Sequence, residues 1–298
     1  LHYTAAHLGK RKAIPSLTPI SYYHFFYISL VGQLMRLFTT LLALFTLSAC
    51  SSLSVQNDKI PTLASYQFAE SDHVMQDIDD KLAKAKAEHK KLLLVLGAQW
   101  CHDSTGLAAK FSQSTMQTIL TEHYQTLFID VGYYQRGFDV VSRFNMPIYY
   151  GTPTVMIIDP ESETIINSDS MQQWLSADSI SLENYQKYFS RMANENNLIE
   201  QPLSPALAKY YQQINEFSSQ QAKRLKQAYQ VLGPALARYV ENKEQFSAEN
   251  EKVWSQARKL RYNIQNDVIA LKEQAKKAVE MQESIELEFP EYDQFSWE

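Results

Sequence analysis

The stretch from Lys91 to Phe111, KLLLVLGAQWCHDSTGLAAKF, constrains this chain more than any other. Five consecutive apolar residues, Leu92 to Leu96, show no polar alternation and run through Gly97 and Ala98 to Trp100, Cys101, His102, Asp103 and Ser104. A strand that leaves one face in water alternates, so an unbroken apolar run suits a strand covered on both faces, as in the parallel part of an α/β sheet. Gly97 and Ala98 then let the chain turn, and a helical pattern follows. If that helix begins near Cys101, the sulfur lies beside unpaired backbone N–H groups and the positive end of the helix dipole, which favour the thiolate. A protonated His102 acts in the same direction.

The Trp100-Cys101-His102-Asp103-Ser104 motif resembles that of the thioredoxin-like superfamily. It is closest to bacterial members with a WCxDS motif in place of C-x-x-C, the second cysteine position being Ser104. A second anchor is Gly151-Thr152-Pro153-Thr154, followed by the apolar run Val155 to Ile158 and Asp159. The resemblance implies that Pro153 is cis and packs against the active-site cysteine, with Trp100, Thr152 and Pro153 lining a substrate groove. It covers roughly residues 70 to 195 and implies an α/β fold with a central mixed sheet flanked by helices, in the order β-α-β-α-β-β-α. The implied chemistry is thiol–disulfide exchange with a protein disulfide, or with a small thiol or oxidant, and no cofactor. In two-cysteine members a buried acid lies six residues before the nucleophile; here that position is Val95. With Ser104 there is no second thiol to deprotonate, so a buried carboxylate would only add a desolvation cost.

The candidate catalytic residues are therefore Cys101, His102, Asp103 and Ser104. Asp103 has two readings, a proton relay and an acid favoured by the start of a helix. Cys101 also has two, a reactive single thiol whose cycle needs an outside thiol, and an inert cysteine in a non-catalytic binding module for an envelope partner. Tyr133, Tyr134, Tyr149 and Tyr150 either line the groove or fill the core. His73, His89 and His123 lack metal-ligand spacing, so no metal is expected.

The N-terminal part reads as targeting. Met35 to Ser52 carries Arg36, an apolar run from Leu37 to Leu47, and Leu47-Ser48-Ala49-Cys50. That pattern resembles a bacterial lipobox, which implies a signal peptide at 35–49, lipid on the Cys50 sulfur, and a tether from 50 to 70. The expected location is the outer membrane, facing the periplasm, with the lipid as membrane contact. Residues 1–34 are then expected to be an upstream extension from a start site placed too early. Residues 1–49 hold Lys10, Arg11, Lys12 and Arg36 and no acid, so their loss makes the net charge of −5 more negative by four. So acidic a protein is a poor match for nucleic acid.

The domain expected at 71–200 opens with a helix from Ser71 to Lys90, its cap at Ser71 or Asp72 and a stripe of Val74, Ile78, Leu82 and Ala85. A helix from Thr105 to Tyr124, a strand from Gln125 to Val131 and a short helix from Asp139 to Phe144 lead to the Pro153 strand. An antiparallel edge strand at Glu163–Asn167 and a helix from Ser179 to Asn194 complete the unit. In the C-terminal region, 201–298, the stripe Leu225, Tyr229, Leu232 and Leu236 faces a second, from Val253 to Val279, in a helical hairpin, with intermolecular coiled-coil pairing as the alternative. Gly233-Pro234 is expected to break or kink the first helix. The sequence leaves the oligomeric state open.

Overall fold

The computed structural model describes residues 66–195 and 204–298. The expected upstream extension, signal peptide, lipidated Cys50 and most of the tether lie outside these residues, as does the junction at 196–203. The described residues belong to one compact unit.

Strand β1 (Lys91–Gly97) is the middle of a three-stranded sheet. It pairs in parallel with β2 (Tyr124–Asp130), Leu94 opposite Leu127, and antiparallel with β3 (Thr154–Ile158), Leu94 opposite Met156. Leu92 through Leu96 have no exposed surface. Because successive strand side chains point to opposite faces, this single run supplies two cores. Leu92, Leu94 and Leu96 join one cluster, with Ile78, Leu82 and Ala85 of α1 (Val74–Ala87). Leu93 and Val95 join the other, with Leu107 and Phe111 of α2 (His102–Phe111) and Met116 and Leu120 of α3 (Ser114–His123). Helix α4 (Phe138–Arg143) lies between β2 and β3 in the chain. A 3-10 segment (Met171–Ser179), which the sequence did not announce, brings Trp174 into the second core, where α5 (Leu182–Asn194) adds Tyr185 and Phe189.

Helix α6 (Pro205–Asn242) and helix α7 (Ala248–Glu280) form the C-terminal hairpin within this chain. They do more than pair with each other. Leu225, Tyr229, Leu232, Leu260 and Ile264 share the cluster of Leu92, Leu94 and Leu96, so the hairpin contributes to the core on the α1 side of the sheet. The end of the chain lies along the hairpin. Trp297 Nε1 donates to the Arg224 carbonyl at 3.0 Å, Arg224 Nε donates to Glu298 at 2.5 Å, and the Arg224 guanidinium sits 4.6 Å from the Phe295 ring centre. Among the described residues no helix is long and apolar enough to cross a membrane.

Four local expectations need correction. Ser71 does not cap α1; His73 is the capping residue, and Ser71 Oγ instead accepts its N–H at 3.1 Å while donating to Asp77 at 2.6 Å. The single helix expected from Thr105 to Tyr124 is two, α2 and α3, because the Ser112 hydroxyl bonds back to the Ala108 carbonyl at 2.8 Å and Gln113 is extended. Serine side chains compete in this way with the helical ladder. The edge strand at Glu163–Asn167 is only a bridge between Ile158 and Ile165. The Asn167 side chain takes the place of further pairing, its Oδ1 accepting from Ile157 N–H at 2.8 Å and its Nδ2 donating to the Val155 carbonyl at 3.0 Å. Finally, of the break or kink expected at Gly233-Pro234, the break does not occur; α6 runs on to Asn242 with Pro234 inside it. A Cβ on Gly233 would lie 2.5 Å from the Tyr133 carbonyl oxygen, so the glycine serves a close approach of helix to loop.

Candidate active site

The site begins where β1 stops. Gly97 lies so close to Phe68 and Ser104 that a Cβ there would be 2.5 Å from the Phe68 ring and 2.7 Å from Ser104 Oγ. The chain then turns, with Cys101 N–H donating to the Ala98 carbonyl at 3.2 Å. Cys101 is the capping residue of α2 in extended conformation, and its carbonyl accepts the Thr105 N–H at 3.0 Å. Its sulfur is therefore at the helix start, half-buried, and donates to the Thr152 carbonyl at 3.3 Å. The Thr152-Pro153 peptide bond is cis. Two segments far apart in sequence thus meet at the thiol, and Thr154 Oγ1, donating to the Gly151 carbonyl at 2.7 Å, fastens the second of them.

The other motif residues part company. The His102 side chain is 78% exposed, with Nδ1 3.5 Å from Asp103 and Nε2 4.0 Å from Asp178, so its contacts are carboxylates rather than the thiol. Asp103 is turned to the 3-10 segment, its Oδ1 accepting the Asp178 N–H at 3.0 Å, which is a fastening role. Ser104 is fully buried, with the Ala98 N–H 3.4 Å from its Oγ. Trp100 donates from Nε1 to the Gly132 carbonyl at 2.9 Å, which ties the motif to the loop after β2. Among the described residues no cluster of His, Cys, Asp and Glu could hold a metal ion.

The four tyrosines divide. Tyr134 and Tyr149 are buried in the first core, whereas Tyr133 and Tyr150 are half-buried at its margin. Tyr134 lies against Trp100, ring centres 5.3 Å apart, and stacks on Tyr229 of α6 at 4.2 Å. Its φ of 65° is left-handed, a conformation uncommon for a bulky residue. Burial holds its pKa above the ordinary value, a rise that the charge of Arg261 opposes. Arg261 belongs to α7. Nothing in the sequence distinguished it from the other basic residues of that helix, because position beside an apolar stripe is shared by residues that face water.

A hollow of about 470 Å³ on the flank of α2 is lined by Tyr66, Gln99 and Thr105. A cleft of about 330 Å³ between the domain and the hairpin is lined by Met146, Tyr150 and Gln265, among others. Cys101 lines neither.

A thioredoxin-like family model matches residues 73–160, from the cap of α1 to the turn after β3. No curated protein matches the chain. Among solved structures, a disulphide isomerase from Xylella fastidiosa Temecula1 is similar, at 23% identity over 42% of this chain and 97% of that one, with a TM-score of 0.39. The match from 73 to 160 spans the sheet, the Cys101 helix start and the Pro153 loop, so the chain carries a thioredoxin-like domain, extended by a C-terminal helical region.

Proposed function

We propose that this protein exchanges disulfides through the single thiol of Cys101. The observation that carries the reading is the meeting of Cys101, at a helix start, with the Thr152 carbonyl beside cis Pro153. The Cys101 thiolate attacks one sulfur of a substrate disulfide; that S–S bond breaks, a Cys101–sulfur bond forms, and the departing sulfur leaves as a thiolate that takes a proton from water. An outside thiol then attacks the mixed disulfide, because Ser104 cannot. The sulfur is half-buried rather than enclosed, which leaves it within reach of a disulfide presented on a protein surface. Leu47-Ser48-Ala49-Cys50 supports the finer reading, a lipid-anchored protein of the bacterial envelope facing the periplasm.

The test is trapping. Incubated with oxidised glutathione, the full chain carrying Cys50→Ser should gain one glutathione by intact mass, and Cys101→Ser in addition should gain none. A folded chain that gains none, yet reacts once denatured, overturns the exchange reading in favour of a binding module whose thiol is inert.

A further inference from the structure

The turn of the C-terminal hairpin carries aromatic side chains that the Cys101 site does not use. Helix α6 is capped by Lys243 in left-handed conformation, and α7 by Ser247, whose Oγ accepts the Asn250 N–H at 3.1 Å. Tyr239, Phe246 and Trp254 lie on and beside these ends. The rings of Tyr239 and Phe246 have centres 5.9 Å apart at 75°, and those of Phe246 and Trp254 are 6.2 Å apart at 90°. Rings set at such angles wall a space rather than stack. That space is an open cavity of about 490 Å³, lined also by buried Leu236 and by Gln245 and Glu251.

An exposed aromatic ring on its own needs no explanation. Here Tyr239, 52% exposed, shares its cavity with two more rings and a carboxylate. Among the described residues Glu251 makes no ion pair, whereas nearby Arg238 is 3.3 Å from Glu244 and Lys243 donates to the Val240 carbonyl at 3.2 Å. The helix dipole favours an acid in the first turn of α7, so Glu251 alone would say little. On the rim of three rings it adds its charge to their electron-rich faces, the setting in which a cation binds. Among the described residues the cations of this chain sit on other rings, as Lys226 does on Phe138 and Lys272 on Tyr211, and none sits on Tyr239, Phe246 or Trp254.

We propose that the hairpin turn is a binding site for an organic cation, and that the cation is a lysine or arginine side chain of a protein partner. Its charged head lies over the ring faces with Glu251 as counter-charge, and its aliphatic stem lies on Leu236. Position decides the source. Trp254 is 6.3 Å from Tyr134, and Tyr134 is 5.3 Å from Trp100 of the Cys101 motif, ring centre to ring centre. A protein held at the turn is therefore held beside the thiol. The choice of a protein over a lipid headgroup rests on the reading of Cys101 as exchanging with protein disulfides; the cation site itself does not.

Nuclear magnetic resonance of the full chain carrying Cys50→Ser tests it through the indole N–H signals of its four tryptophans, that of Trp254 being assigned by its absence in Trp254→Phe. A capped tripeptide with a central lysine, and another with a central arginine, should shift the Trp254 signal to saturation. The same tripeptide with norleucine should leave it in place. Tyr239→Leu and Glu251→Gln change side chains that are largely in solvent. Each should weaken binding of the lysine peptide about threefold, the effect of one exposed cation–ring or ion-pair contact. A Trp254 signal that neither cation moves, an equal response to norleucine, variants that bind as the parent does, or a response to phosphatidylcholine vesicles alone would each overturn the inference. Glutathione capture by the same chains reads Cys101 separately, so a lost cation site and a lost exchange reaction are told apart.

Discussion

At the scale of single residues, the motif Trp100 to Ser104 is less a catalytic list than a division of labour. Cys101 holds the sulfur at the helix start, Trp100 ties the loop after β2, Asp103 fastens the 3-10 segment, and Ser104 is buried beneath. Ser104→Cys should therefore create a second thiol one helical turn from the first, closing an intramolecular disulfide with Cys101. Intact mass and free-thiol titration under oxidising conditions check this, and two persistent free thiols would count against the thioredoxin-like geometry of the site. His102 is the opposite case. Its ring is largely in solvent, so His102→Ala should change unfolding free energy by no more than about 0.5 kcal/mol, as read by urea denaturation.

At the scale of elements, side chains decide where pairing ends and how closely helices approach. Asn167 satisfies both Ile157 N–H and the Val155 carbonyl while almost fully buried. Asn167→Ala leaves two buried backbone groups unpaired and should destabilise the domain by about 2–4 kcal/mol in urea denaturation. Gly233 is a second such point. Its contact is a backbone oxygen, which cannot swing aside like a side chain, so Gly233→Ala must push α6 away from the Tyr133 loop. Loss of stability by about 1–3 kcal/mol is expected in urea denaturation.

At the scale of the molecule, the hairpin is part of the core. Leu225, Tyr229, Leu232, Leu260 and Ile264 of α6 and α7 belong to the same buried cluster as Leu92, Leu94 and Leu96, and burying one such side chain is worth roughly 2 kcal/mol. Removing residues 204–298 should leave a chain that binds a hydrophobic dye and melts without cooperativity, whereas the full chain should show one calorimetric transition. The tail adds a pH dependence. Hydrogen bonding from Arg224 holds the Glu298 carboxyl below the ordinary glutamate value, so its contribution is present above the unfolded-state pKa and is lost as pH falls through the lower folded value. Hydrogen exchange over residues 291–298 should accelerate on acidification below about pH 4, ahead of the sheet.

The sequence by itself determined what depends on local pattern. The unbroken Leu92–Leu96 run required a strand covered twice, the Trp100–Ser104 motif placed a thiol at a helix start, and the stripes at Leu225–Leu236 and Val253–Val279 required paired helices. These follow from strand and helix periodicity, which a single segment displays. The tertiary structure decided what depends on segments meeting. Only there does Asn167 replace a strand, does Gly233 admit the Tyr133 carbonyl, and does Arg261 reach the loop beside Cys101. In sequence an arginine next to an apolar stripe looks the same whether it faces water or a buried loop. The difference is made by the partner surface, and that surface comes from residues more than a hundred positions away.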